Sequence, residues 1–367
     1  MRGALIGSQP VRMLTIVGAR PQFVKAAAVS RAAARRTDIE EILVHTGQHF
    51  DENMSEVFFQ QMGIPRPAHR LDIHGGGHGE MTGRMMIALE EVMLAEAPDV
   101  VLVYGDTNST LAGALVAAKL NIPVAHVEAG LRSFDRTMPE EINRVVTDHV
   151  SEMLFCPTQT AVKNLAAEGI TQGVEAVGDV MFDATLMLIE AGRGSTVVAD
   201  LGLAPGGYAV ATLHRQSTTD APGALAAAVG FLREQAAGRP IVLPLHPRTR
   251  GAAERLGVSL EGLRVIDPVG PLEMHRLLAD CTAVYTDSGG LQKEAYFHRK
   301  PCVTLRDSTE WVETVEAGWN RLWRGPDFRP RRDIPDYGDG ASAAAILELI
   351  AARIGRARGV DAAAPAG

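Results

Sequence analysis

Between His126 and Val150 the chain reads HVEAGLRSFDRTMPEEINRVVTDHV, five carboxylates and three arginines in one short stretch. Crowding of that kind is costly unless something is bound there. Asn121 to His126 has the apolar character of a short core strand, so Glu128 falls at the strand's carboxyl end, where open α/β sheets hold ligands. Pro139 then opens a helix. In it Glu140, Asn143, Arg144 and Thr147 share one face by three-and-four spacing, while Ile142, Val145, Val146 and Val150 supply the apolar side. Acids in a first turn also suit the helix dipole, which is the bland account of Glu140 and Glu141. Glu128, followed by Ala-Gly, has no helix terminus of its own to serve. Glu141 falls off the shared face, and its substitution is expected to matter little.

Other reactive side chains stand at the ends of apolar runs in the same way. Met13 to Val17 reads as a strand ending in Gly18-Ala-Arg-Pro21, a turn into a helix that would turn free backbone N–H groups toward an anion, with Arg20 and Lys25 adding charge. Glu41 to Val44 leads into the polar cluster His45-Thr-Gly-Gln-His49, and a helix is expected from Asp51 to Met62, closed by Gly63. Val100 to Tyr104 is a continuous apolar strand of the doubly covered parallel kind, and Asp106 follows it. The next helix, Ser109 to Lys119, is expected to be capped by Thr107 or Asn108. Further on, His214-Arg215 follows the strand Tyr208 to Thr212, and His246 follows Ile241 to Leu245. Asp287-Ser-Gly-Gly290 opens a helix after Ala283 to Thr286, with Gln292 and Glu294 in its first turns. Ser288, Gly289 and Gly290 there make a ready phosphate cradle. His74-Gly-Gly-Gly-His-Gly79 has two histidines without carboxylate or cysteine support, which suits a mobile loop better than a metal.

These residues need a scaffold, and alternating strands and helices provide one. At 367 residues the chain has room for two domains, each with its own core. One alternating set closes by Gly178-Asp179, and a second set follows. The expected architecture is α/β, two doubly wound Rossmann-like domains at 1–178 and 179–367. The second ends in a helix from about Ser342 to Ile354 and a disordered tail from Gly359. A 46% hydrophobic and 22% charged composition is that of a soluble globular protein. No run approaches a membrane span, and the first residues lack the apolar core of a secretion signal, so a cytoplasmic location is expected. A net charge of −8 argues against a general nucleic-acid binder. Cys156, Cys281 and Cys302 are widely separated in apolar surroundings and read as buried free thiols.

From Gly18 to about Arg306 the chain resembles the non-hydrolysing UDP-N-acetylglucosamine 2-epimerases. GARPQFVK, HTGQHFD, YGDTNST, HVEAGLRS, MPEEINR, TLHR, LPLHPRT and TDSGGLQKEA stand in the family's order and spacing. The resemblance implies a GT-B-like pair of Rossmann domains facing across a cleft, and interconversion of UDP-GlcNAc and UDP-ManNAc by elimination and re-addition of UDP. It also implies catalytic roles for Asp106, Glu128 and Glu140 in the first domain and for His214 in the second. Substrate binding falls to Arg20, Lys25, Arg144, His246, Ser288, Gly289, Gly290 and Glu294, with the second domain taking the UDP. No cofactor and no metal are expected. The expected partners are the UDP-sugar and a second copy of the chain in a homodimer, with neither nucleic acid nor membrane. Two departures bear on the substrate: Ser217 stands where members commonly have glutamate, and Trp311 where many have arginine. GARPQF, TGQHFDENM and TEWVE look more like the branch acting on UDP-2,3-diacetamido-2,3-dideoxy-glucuronate.

The chemistry so implied has one difficulty, that the proton on a sugar C2 is not acidic. A base removes it only as positive charge builds at C1 while the nucleotide leaves, so carboxylates must face the sugar and cations the diphosphate. A retaining glycosyltransferase of the same fold would have no use for three acids at C2–H. A hydrolysing epimerase would release the free sugar and UDP. An inactive nucleotide-sugar sensor would have no need of Asp106, Glu128, Glu140 and His214 together.

Overall fold

The structure, a computed structural model, describes residues 9–48, 63–220 and 223–363, and the side chains of these except at 20, 216, 217 and 358–363. The helix expected over Asp51 to Met62 lies outside them. Two compact units are present: Met1–Ala184 with Pro335–Gly367, and Thr185–Ile334.

The first unit is built on β1 (Val11–Val17), β2 (Ile39–His45), β3 (His69–Arg70), β4 (Val100–Tyr104), β5 (Val124–Val127), β6 (Met153–Cys156) and β7 (Val174–Ala176). They form one parallel sheet in the order β3-β2-β1-β4-β5-β6-β7. The chain lays its first three strands outward in one direction and the rest in the other, so the topology reverses between β1 and β4. Helices cover both faces, which is why β4 is apolar and buried at all five positions. On one face Leu14, Ile16, Val101 and Val103 pack with Met85 and Leu89 of the helix His78–Glu96.

The second unit has β8 (Ala209–Thr212), β9 (Ile241–Pro244), β10 (Arg264–Ile266), β11 (Val284–Thr286), β12 (Cys302–Thr304) and β13 (Asn320–Leu322). Their order, β10-β9-β8-β11-β12-β13, is again parallel and again reverses, here between β8 and β11. Ligands of such sheets bind at the carboxyl ends of the strands flanking the reversal. In this chain those ends carry Gly18 and Gly105-Asp106 in the first unit, and His214 and Asp287-Ser288 in the second.

Two expectations about extent are corrected. The division falls after Ala184, within the helix Val180–Gly192, and the last helix belongs to the first unit. That helix runs Ser342–Ala363, into the stretch expected to be disordered, and packs on β1 and the helix Arg20–Ala33. Ile346, Leu347, Ile350 and Ile354 are buried there. Its apolar stripe required a partner surface, but nothing in a periodic pattern says which of two sheets provides it. No helix among the described residues is long and apolar enough to cross a membrane.

A buried histidine pair is expected to make the second unit sensitive to acid. His275 Nδ1 and His298 Nε2 are 2.9 Å apart, and the residues are 4% and 9% exposed. Burial pushes His298 down to about 4, with Lys300 adding to it, and burial with His298 pushes His275 lower still. Both groups therefore bind protons less readily folded than unfolded, so their stabilisation is complete above pH 6.5 and is lost as pH falls toward about 4. Thermal melts should show the second unit weakening by on the order of a few kcal/mol across that window, since each tenfold difference in proton affinity corresponds to about 1.4 kcal/mol. The variant His275→Leu should flatten the slope; an unchanged slope would remove the pair as its cause.

Candidate active site

Gln22 organises the reversal in the first unit. Its Oε1 accepts from the N–H groups of Gly18 (2.8 Å) and Ala19 (3.0 Å), while its Nε2 donates to the Tyr104 carbonyl (2.8 Å) and to Thr110 Oγ1 (3.0 Å). The ends of β1 and β4 are thereby tied together by one buried amide. This corrects the expectation of free N–H groups at Gly18 and Ala19, since both are occupied. Gly18 is a close approach of backbone to side chains, because a Cβ there would collide with Thr46 Oγ1 and Ser109 Oγ. One turn into the helix, Lys25 is 8% exposed and its ammonium is paired with the Glu128 carboxylate. Arg20 opens this helix, and its side chain is outside the described set.

Glu128 leaves β5 in the left-handed region, φ 72°, a conformation that costs an L side chain energy and that the surrounding structure must enforce. Asp106 follows β4 and is paired with Arg144 of the helix Pro139–Val150. Burial raises the Asp106 carboxyl above its ordinary range; Arg144 and Lys25 oppose the shift, and Glu128 and Glu140 add to it. Five of the expected residues, Lys25, Asp106, Glu128, Glu140 and Arg144, thus act on one another. Glu140 is solvent-exposed in the group. Thr107 does cap the helix Asn108–Lys119, accepting from Thr110 N at 3.3 Å.

The helix Pro139–Val150 reverses the expected polarity of its faces. Glu141, Asn143, Thr147 and Asp148 are its buried residues, whereas Ile142 is 37% exposed. Asn143 Nδ2 donates to the Asp106 carbonyl (2.9 Å) and to Asn108 Oδ1 (3.3 Å). Glu141 is the principal miss. Its carboxylate accepts from Ser133 N (2.9 Å), Ser133 Oγ (2.9 Å) and Phe134 N (3.0 Å), and pairs with Arg144 Nη1 at 3.0 Å. Burial works against the ionised form, but these bonds outweigh it and hold Glu141 below the usual carboxylate range. The available signal was its place three residues before Arg144, one turn away.

In the second unit Asp287 takes the part played by Gln22. Fully buried, it accepts from the backbone N–H of His214 (3.0 Å) and Arg215 (3.0 Å), and its Oδ1 is 3.3 Å from His214 Nδ1. The ring is thereby oriented while 46% of the His214 side chain stays open to solvent. Ser288 caps the helix Gly289–Phe297, and Glu294 is half-buried one turn along. At Gly289 a Cβ would collide with the Glu310 carboxylate, which pairs with Arg306 at 2.9 Å and Arg215 at 3.6 Å. Burial disfavours the Glu310 anion, but Arg306 and Arg215 hold its carboxyl below the ordinary range. Glu310 was missed too, although its place four residues after Arg306 could have shown it. Gly290 is exposed, and so is His246, whose Nδ1 caps the helix Pro247–Leu256 by accepting from Arg248 N at 3.2 Å. Trp311 is buried with Lys293 Nζ 3.8 Å from its ring centroid.

The family model for UDP-N-acetylglucosamine 2-epimerase matches residues 31–351. The chain belongs to that family. It is 57% identical over 317 residues to the UDP-2,3-diacetamido-2,3-dideoxy-D-glucuronate 2-epimerase of Pseudomonas aeruginosa, covering 85% of this chain and 88% of that one. To the UDP-N-acetylglucosamine 2-epimerase of Methanocaldococcus jannaschii it is 44% identical over 329 residues, with 85% and 88% covered. A crystal structure of the Methanocaldococcus jannaschii UDP-GlcNAc 2-epimerase in complex with UDP-GlcNAc and UDP superposes with a TM-score of 0.83 at 40% identity, covering 93% of this chain and 99% of that one. The expected GT-B-like α/β fold of two parallel-sheet units agrees with that likeness. Family membership makes the chain an isomerase.

The buried Glu141 gives a direct check on this geometry. Glu141→Ala leaves two backbone donors and an arginine without their acceptor in a nearly dry place, so denaturant unfolding should show a loss of about 1–3 kcal/mol. Stability within about 0.5 kcal/mol of the parent, the range of ordinary surface changes, would count against the assignment.

Proposed function

We propose that this enzyme interconverts a UDP-2-acetamido sugar and its C2 epimer, of the UDP-GlcNAc to UDP-ManNAc type, by eliminating UDP and adding it back. The observation that carries the reading is the cluster of acids and cations that gathers Lys25, Asp106, Glu128, Glu140 and Arg144 beside the first unit's topological reversal. Glu128 is ion-paired with Lys25 and Asp106 with Arg144, so each carboxylate stands beside a cation, and burial raises the Asp106 carboxyl above its ordinary range. In this reading Glu128 takes the C2 proton as the C1–O bond to the diphosphate breaks, and an acid returns a proton to the opposite face when UDP adds back. Glu140 and Arg144 complete the acid–base group of the first unit. The second unit supplies the anion site: the helix starting at Gly289, with Ser288 and Gly290, receives the diphosphate, and His214 stabilises or protonates it as it leaves. Arg20, Lys25, His246 and Glu294 are assigned to substrate binding on the strength of their motifs.

A second reading concerns the sugar alone. The 57% identity to an enzyme named for UDP-2,3-diacetamido-2,3-dideoxy-D-glucuronate, together with a buried tryptophan at 311, favours that substrate within the same chemistry. The proposal also includes a homodimer in the cytoplasm. Ile87 and Leu94, 65% and 66% exposed two turns apart on one helix, support the first; the three buried free thiols suit a reducing compartment.

Epimerisation run in D₂O should place deuterium at C2 while the sugar remains on UDP, because the abstracted proton is shared with water before one is returned. Glu128→Gln keeps shape but not basicity and should lower kcat by on the order of 10²–10⁴-fold, with UDP binding nearly intact. Epimer formed without deuterium would sink the mechanism. Comparing kcat/KM for the two sugar nucleotides by NMR decides between the substrates.

A further inference from the structure

His126 is completely buried two residues ahead of Glu128, and both of its ring nitrogens are engaged. Nε2 is 2.8 Å from the Gly105 carbonyl oxygen, and Nδ1 is 2.7 Å from Asp148 Oδ1. A carbonyl only accepts, so Nε2 carries a proton. Asp148 also receives Gly130 N (3.1 Å) and Arg132 Nη1 (2.7 Å) on its other oxygen, and Arg132 is in turn paired with Glu168. Burial disfavours the Asp148 carboxylate, but His126 and Arg132 overcome it and hold the group below its ordinary range. Nδ1 therefore lies against a carboxylate oxygen.

The ring thus joins the three segments on which the acids stand. Gly105 immediately precedes Asp106, β5 leads into Glu128, and Asp148 lies one turn beyond Arg144 on the helix Pro139–Val150. Gly105 sits beneath the ion pair: a Cβ there would be 3.4 Å from Glu128 Oε2 and 3.5 Å from Lys25 Nζ. Any shift of this turn moves Asp106 relative to Glu128. We propose that His126 is a positioning residue which, by donating to the Gly105 carbonyl, sets the spacing of the Asp106 and Glu128 carboxylates for proton transfer. The proposal rests on reading those two acids as the proton-transfer pair.

The variants His126→Phe and His126→Gln test it. Phenylalanine fills the space without the donor, and kcat should fall about 100-fold, the usual penalty for a misplacement of about 1 Å, with KM and the UDP affinity nearly unchanged. Glutamine can still donate to the carbonyl and should recover most of kcat. Nitrogen-15 NMR of the wild-type imidazole should show Nε2 protonated. A folded His126→Phe enzyme with wild-type kcat, a kcat loss matched by loss of UDP affinity, a glutamine variant as slow as the phenylalanine one, or an unprotonated Nε2 would each overturn the proposal. Should the phenylalanine variant not fold, the glutamine variant and the NMR spectrum still decide. A wild-type enzyme that exchanges no deuterium at C2 would instead overturn the proton-transfer reading, with the NMR result still interpretable.

Discussion

The Lys25–Glu128 ion pair is the constraint on which the first unit's site depends. Each side chain is about a tenth exposed, so neither charge is solvated well enough to stand alone. Strand β5 has to deliver Glu128 in the left-handed region to reach the ammonium, and the helix Arg20–Ala33 has to present Lys25 one turn from its start. The cost of that strained residue is met by the packing around it, and such strain persists mainly where structure over-determines it. Asp106 and Arg144 form a second pair beside the first, and the two influence each other through the partly dry surroundings.

Both units solve the same local problem with one side chain. Where the strand order reverses, two adjacent strands end without a connection between them, and the turns that follow would be free to drift apart. Gln22 closes that gap in the first unit by accepting from the turn after β1 and donating to the end of β4. Asp287 closes it in the second by accepting from the turn after β8. The difference in residue type has a consequence for chemistry. A neutral amide holds the acid cluster without adding charge to it, whereas the Asp287 carboxylate also faces Nδ1 of His214 and so orients that ring.

The helix Pro139–Val150 shows what these buried polar contacts demand. A surface helix ordinarily turns its aliphatic side inward. Here Glu141, Asn143 and Asp148 face inward, each with several partners, and Ile142 is left partly open. Burying so many polar groups is tolerable because nearly every one of their atoms is bonded. In return Arg144, Asn143 and Asp148 grip the carboxyl group of Asp106, its carbonyl, and, through His126, the carbonyl before it.

Much of this was legible in the chain before any coordinates. The apolar run located β4 to the residue, because a strand buried on both faces carries no polar interruption, and short strands such as β3 and β13 escaped because two or three residues show no period. Asp106, Glu128 and His214 were identifiable as residues that follow core strands, where side chains leave the sheet. The amides at Gly18 and Ala19, the inward face of Glu141 and the allegiance of the helix Ser342–Ala363 were not identifiable in that way. Gln22 takes the first two from the third position of its own helix, a local arrangement the reading overlooked, whereas the other two turn on which distant group supplies the partner: Ser133 and Phe134 across a loop, the first sheet and not the second. Periodicity and capping report on neighbours within a turn or two, and a buried donor or apolar stripe states only that a partner is required. Which one it receives is decided when the sheets close and the remaining choices are excluded by packing.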